Sequence, residues 1–145
     1  RKAAMATRVI AACGGSVRGK VIAVLGLTFK PETDDMRDAP SVPIICRLIE
    51  AGATVRAFDP EGMDQAVPLL PSAVGYCQNA LEAVTGADAL VLITEWNEFR
   101  ALAPSRLSRA MRGRVVVDLR NVYDPAAMRA AGFHYTCIGR PLTAP

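Results

Sequence analysis

Residues 20–41 read KVIAVLGLTFKPETDDMRDAPS, and the apolar run near their start decides the fold. Val21–Leu25 is a series of small and branched apolar residues with no alternation. That pattern suits a strand covered on both faces, as in a parallel sheet. Gly26 ends the strand, and residues 27–38 form a polar turn that gathers Lys30, Glu32, Asp34, Asp35, Arg37 and Asp38. Pro40-Ser41 then opens a helix, because proline suits a first turn whose N–H needs no partner. In open α/β sheets ligands bind beyond the carboxyl ends of the strands. The turn lies at such an end, so it is the first candidate for function.

The same alternation continues outward from this unit. Strands are expected at 54–58, 74–77, 89–93, 114–117 and 134–138. Helices are expected from Pro40-Ser41 to a cap at Gly52, and at 79–85, 98–102, 105–111 and 125–131, with Pro104 separating two of them. Residues 61–70 read as a loop with a short helix. This order predicts an α/β fold: a doubly wound, mostly parallel, Rossmann-like sheet with helices on both faces. Residues 2–13 read as a helix with a partial apolar stripe (Met5, Val9, Ile10, Cys13) stopped by Gly14-Gly15. The expectation for 1–16 is the end of a longer central helix that packs on a missing domain or a second subunit. Residues 17–145 then form one domain, with a loosely held tail after Gly139.

Composition narrows the classes. The chain has 145 residues, 51% hydrophobic and 21% charged, as in folded globular domains and unlike disordered ones. The longest uncharged apolar run, 89–93, is too short to cross a bilayer, and the N-terminal RKAAMATRVIAACGG lacks the apolar core of a signal peptide. Four widely spaced cysteines and one histidine argue against zinc. Cys46 and Cys137 stand in apolar runs and are expected as small core residues, and reduced thiols fit a cytoplasmic location. The net charge of +3 is unevenly spread, with eight arginines against two aspartates from Arg100 onward. Without interleaved aromatics or a recognition motif, Arg106, Arg109 and Arg112 read as a solvated helix face, not a nucleic-acid surface.

Where a dinucleotide fold carries G-x-G-x-x-G, this sequence has Gly26-Leu27-Thr28-Phe29-Lys30-Pro31. Bulky Leu27 and Phe29 keep a pyrophosphate off the backbone amides, so NAD is not held here in the ordinary way. Asp59 stands where a ribose-binding acid would, but before Pro60 it reads as a turn residue. Asp34-Asp35-Met36-Arg37-Asp38 superficially matches D-D-x-x-D, yet it lies in a turn bounded by Pro31 and Pro40. Its aspartates are expected to accept turn amides, cap the helix, or hold Arg37. Lys30 and Arg120, each just past a strand end, offer two cations at one rim, suited to phosphate or carboxylate.

The sixteen residues Gly26 to Ser41, with Phe58-Asp59-Pro60, Thr94-Glu95-Trp96-Asn97-Glu98-Phe99 and Val117-Asp118-Leu119-Arg120-Asn121 in order, closely resemble the C-terminal domain of nucleotide-sugar 6-dehydrogenases. Within that UDP-glucose/GDP-mannose dehydrogenase family the likeness is strongest to the bacterial UDP-glucose enzymes. The resemblance implies the UDP-binding domain of an enzyme that converts UDP-glucose, two NAD and water to UDP-glucuronate and two NADH. It implies Phe29, Lys30 and Arg120 as substrate-binding residues, and Arg37 as a contact to the pyrophosphate of an NAD bound mainly by a missing N-terminal domain. Trp96 is expected to pack and not to react. Gly14-Gly15-Ser16 is followed by Val17, not by the family's catalytic cysteine, so no catalytic residue is expected in this chain. The implied partners are the UDP-sugar, the missing N-terminal and central domains, and a second subunit, with neither nucleic acid nor membrane. The same domain of a GDP-mannose or UDP-N-acetylmannosamine dehydrogenase, a phosphate-ligand module and a purely structural dimerisation domain are the alternatives.

Overall fold

The computed structural model describes residues 2–138; the expectation about the tail after Gly139 lies outside them. In these residues six parallel strands form one sheet in the order β3-β2-β1-β4-β5-β6. They are β1 (Val21–Leu25), β2 (Thr54–Phe58), β3 (Gly75–Tyr76), β4 (Ala89–Leu92), β5 (Val115–Asp118) and β6 (His134–Cys137). The doubly wound expectation holds, with every pairing parallel.

The missing alternation in the strand sequences is explained by burial on both faces. Ile22 and Val24 of β1, with Val55, Ala57, Ala89 and Val91, face helices α1 (Lys2–Ala12) and α2 (Ser41–Glu50). Ala23 and Leu25, with Leu90, Leu92 and Val116, face the other layer. That layer holds α4 (Ala80–Val84), α5 (Asn97–Arg100), α6 (Pro104–Ala110) and α7 (Pro125–Ala130). A short α3 (Met63–Ala66) and a 3-10 turn (Val67–Leu69) follow β2. Each fully buried Leu or Ile of the central strands contributes about 1.5–3 kcal/mol, so β1 and β4 form the anchor of the sheet.

Three local expectations are refined. Pro104 marks the break between α5 and α6 and is itself the first residue of α6, at the position where its missing N–H costs nothing. Cys46 and Cys137 are only half-buried, and the buried cysteine is Cys77, because α2 and β6 turn the first two toward the rim of the core. The helix over 2–12 has its partner inside the fold: Ala6 and Val9 are fully buried in the same cluster as Ile44, Ile45 and Leu48 of α2.

Side chains cap two of the short helices. Asn79 Oδ1 accepts the Glu82 amide at 2.8 Å, and Asp124 Oδ2 accepts the Ala127 amide at 2.9 Å. Pro40 stands at the α2 N-cap without a side-chain hydrogen bond. Ser41 instead donates its hydroxyl to the Leu27 carbonyl at 2.7 Å and ties the helix start to the loop behind β1.

Gly26, just past β1, lies hard against Thr94, just past β4. Its φ is +95°, and a Cβ there would sit 2.5 Å from the Thr94 amide nitrogen. Left-handed backbone and a clash with backbone atoms act together. Gly26→Ala is therefore expected to cost about 3 kcal/mol in urea unfolding; a loss below about 1 kcal/mol contradicts this account of the strand end.

Candidate functional site

The carboxyl edge of the sheet carries three loops that meet: residues 26–40 after β1, 59–62 after β2, and 119–124 after β5. The first is pinned from below. Thr28 is fully buried, and its carbonyl accepts the Thr94 hydroxyl at 2.7 Å. Its own hydroxyl lies 3.1 Å from Asp59 Oδ2 and 3.0 Å from the Lys30 carbonyl, and accepts Trp96 Nε1–H at 3.3 Å. The Phe29 amide donates to the Asp35 carbonyl at 2.9 Å. Beyond these anchors Phe29 and Lys30 are exposed, Phe29 at 44%.

Arg120 joins this rim from the other loop. Its Nη2 donates to the Phe29 carbonyl at 3.1 Å and its Nε to the Ile93 carbonyl at 3.0 Å, while Nη1 lies 3.6 Å from Glu95 Oε1. Phe29, Lys30 and Arg120 thus share one edge, linked across 91 residues of sequence. Below Arg120, the fully buried Asp118 accepts the Arg120 amide at 3.1 Å through Oδ1. Its Oδ2 accepts the Tyr123 amide at 2.9 Å and the Tyr135 hydroxyl at 2.5 Å. A buried carboxylate satisfied in this way fixes the loop that presents the arginine.

Arg37 stands apart from that cluster. It is exposed and paired with Asp35, Nε to Oδ1 and Nη2 to Oδ2 each at 3.0 Å, while its amide also donates to Oδ1. The expectation that one of the turn aspartates holds Arg37 is met by Asp35. The hydrogen bonds from the Arg37 side chain, then from its amide, hold the Asp35 carboxyl down at about 2. Arg37 lines an open groove of about 1030 Å³ with residues 33–39, Val42, Pro43, Gln65, Pro68 and Leu69. Phe29, Lys30 and Arg120 do not line it. The substrate-type and cofactor-type residues singled out in the sequence therefore occupy two neighbouring zones and not one hollow.

Several features escaped the sequence reading. Asp59 does close its own turn, accepting the Glu61 and Gly62 amides, but it also accepts the Leu27 and Thr28 amides and is fully buried. Its carboxylate is saturated and cannot serve a ribose. Glu32, Asp38 and Asn121 all have φ near +60°, and all lie in the first and third loops. Non-glycine residues in that region are uncommon and gather at functional sites; Asp38 and Asn121 are of the types that enter it most readily, and Glu32 is not. Trp96 is buried, as expected, and its indole nitrogen also reaches Thr28. No helix among the described residues is long and apolar enough to cross a membrane.

Comparison with known proteins agrees with the fold. Residues 23–125 match the UDP-glucose/GDP-mannose dehydrogenase family, UDP binding domain. The chain is 52% identical to a UDP-glucose 6-dehydrogenase of Rhizobium meliloti over 97% of its own length and 32% of that protein. Among solved structures, an NDP-N-acetyl-D-galactosaminuronic acid dehydrogenase of Methanosarcina mazei aligns with a TM-score of 0.84 at 30% identity, over 96% of this chain and 29% of that one. A UDP-glucose dehydrogenase of Pyrobaculum islandicum aligns with a TM-score of 0.74 at 30% identity, over 93% and 29%. The chain thus spans about a third of the length of the relatives it matches.

The depressed Asp35 value fixes a sign. A carboxyl whose folded pKa lies below its unfolded one contributes stability above the ordinary range, and that contribution is lost as pH falls through about 2. Both groups face solvent, so the effect on stability is small. In an NMR titration Asp35 is expected to have its midpoint at about 2, moving back toward about 3.9 in Arg37→Ala; an unmoved midpoint rules out Arg37 as the cause.

Proposed function

Because the chain belongs to the UDP-glucose/GDP-mannose dehydrogenase family, we propose that residues 17–145 hold the UDP end of a nucleotide sugar at the edge formed by Phe29, Lys30 and Arg120. The observation that carries this reading is the Arg120 guanidinium bridging to the Phe29 carbonyl. It brings a fork of donors beside an exposed aromatic ring and the Lys30 ammonium. Lys30 supplies a point charge for a diphosphate, and the N–H groups of Arg120 not spent on carbonyls supply directed hydrogen bonds. The half-exposed Phe29 ring offers a flat apolar face for base or sugar.

In this reading the complete protein oxidises the C6 alcohol of UDP-glucose to the acid, using two NAD and one water and releasing UDP-glucuronate and two NADH. The hydride chemistry and the catalytic cysteine lie in the remaining two thirds, and this domain contributes binding and orientation. Residues 1–16 form the end of the segment that joins the domains and pairs subunits, in a cytoplasmic enzyme. Arg37 contributes a cation to the NAD pyrophosphate from the neighbouring groove, once Asp35 is displaced or shared. UDP-glucose is preferred over other sugars on the 52% identity to the Rhizobium meliloti enzyme.

Calorimetric titration of UDP, UDP-glucose and GDP into the chain and into Lys30→Ala tests the site. UDP and UDP-glucose are expected to bind better than GDP, and Lys30→Ala to weaken them about tenfold, the scale of one charge-assisted hydrogen bond. Equal weak binding of all three, untouched by the substitution, overturns the proposal; a GDP preference moves the assignment to the GDP-mannose branch. Mixed with NAD and UDP-glucose, this chain alone is expected to produce no NADH.

A further inference from the structure

We propose that Asp59 is an internal anion that fills, from within, the amide cradle at the end of β1, and is thereby the positioning residue for Phe29 and Lys30. Its side chain is fully buried. Oδ2 accepts the Leu27 amide at 2.7 Å and the Thr28 amide at 3.0 Å, with the Thr28 hydroxyl at 3.1 Å. Oδ1 accepts the Glu61 amide at 2.9 Å and the Gly62 amide at 2.8 Å. Four backbone N–H groups, from the loops that leave two adjacent strands, converge on one carboxylate. Such convergence at a strand end is what a nucleotide fold offers a phosphate.

Filling the cradle has two effects. A ligand phosphate cannot take the Leu27 and Thr28 amides, so recognition passes to side chains beyond them. The loop is also set before any ligand arrives. Thr28 is held against Gly62, where a Cβ would lie 2.3 Å from Thr28 Cγ2, so the two loops interlock only because residue 62 has no side chain. From that fixed Thr28 the chain leads directly to Phe29 and Lys30, and the Lys30 carbonyl lies within reach of the Thr28 hydroxyl. An anchored segment loses less freedom on binding than a mobile one. The ligand-facing half of this inference rests on the function proposed above; the filling of the cradle does not.

Two substitutions in the same chain test it. Asp59→Ala empties the cradle, and formate has the dimensions of the carboxylate removed. The variant's thermal midpoint is expected to fall and to be raised again by formate but not by chloride at equal ionic strength, while the parent responds to neither. Asp59→Asn keeps the shape and turns an amide group toward the backbone donors. There the Leu27 and Thr28 amides are expected to exchange hydrogen about tenfold faster, with the β4 amides unchanged. Equal responses to formate and chloride, or parental exchange rates at Leu27 and Thr28, overturn the internal-anion assignment. If Asp59→Ala does not fold, the exchange measurement decides. UDP affinity is expected to fall about tenfold in Asp59→Asn, and parental affinity there refutes the positioning role. A parent chain that does not bind UDP at all refutes the ligand reading alone, and the formate and exchange results still judge Asp59.

Discussion

The carboxyl edge of this domain depends on one arrangement: a buried negative charge neutralised by backbone amides and not by a cation. Asp59 takes amides from its own turn and from the loop behind β1, and so welds together the exits of two neighbouring strands. Buried charge is costly unless each lone pair is engaged. The contacts that satisfy Asp59 are therefore the ones that dictate the path of the chain from Gly26 to Thr28. Asp118 repeats the device beneath Arg120, with a backbone amide on Oδ1 and an amide and a phenol on Oδ2. Two buried carboxylates thus set the two loops from which the candidate binding groups project.

Much of the fold was legible in the sequence because the strands are buried on both faces. β1 and β2 fall at the expected residues, since an unbroken apolar run closed by Gly26 or by Asp59-Pro60 leaves little freedom in placing a strand. Proline and helix boundaries were harder. Pro104 marks a break between two helices in the sequence, and the structure adds that it is the first residue of the second, whose Leu107 packs into the core. The N-terminal helix meets the core through Ala6 and Val9, and of that pair only Val9 stands in the apolar stripe of the sequence.

The site was legible in part, and for a different reason. Lys30 and Arg120 were found as cations past strand ends, a property of one-dimensional position in a parallel sheet. What sequence cannot carry is which backbone groups those side chains meet. Arg120 spends two of its donors on carbonyls just past β4 and early in the loop after β1, so it works as a clasp as well as a charge. Asp59 illustrates the same limit. As a residue before proline it looked local, yet its hydrogen bonds to Leu27 and Thr28 close contacts more than thirty residues away.

Trp96 adds a practical property. It is the chain's single tryptophan, and its indole N–H ends on the Thr28 hydroxyl, which also neighbours Asp59 and the Lys30 carbonyl. Indole emission responds to the polarity and hydrogen bonding around the ring. The molecule consequently carries one indole fluorophore, wired to the segment behind Phe29 and Lys30 and free of background from any other tryptophan.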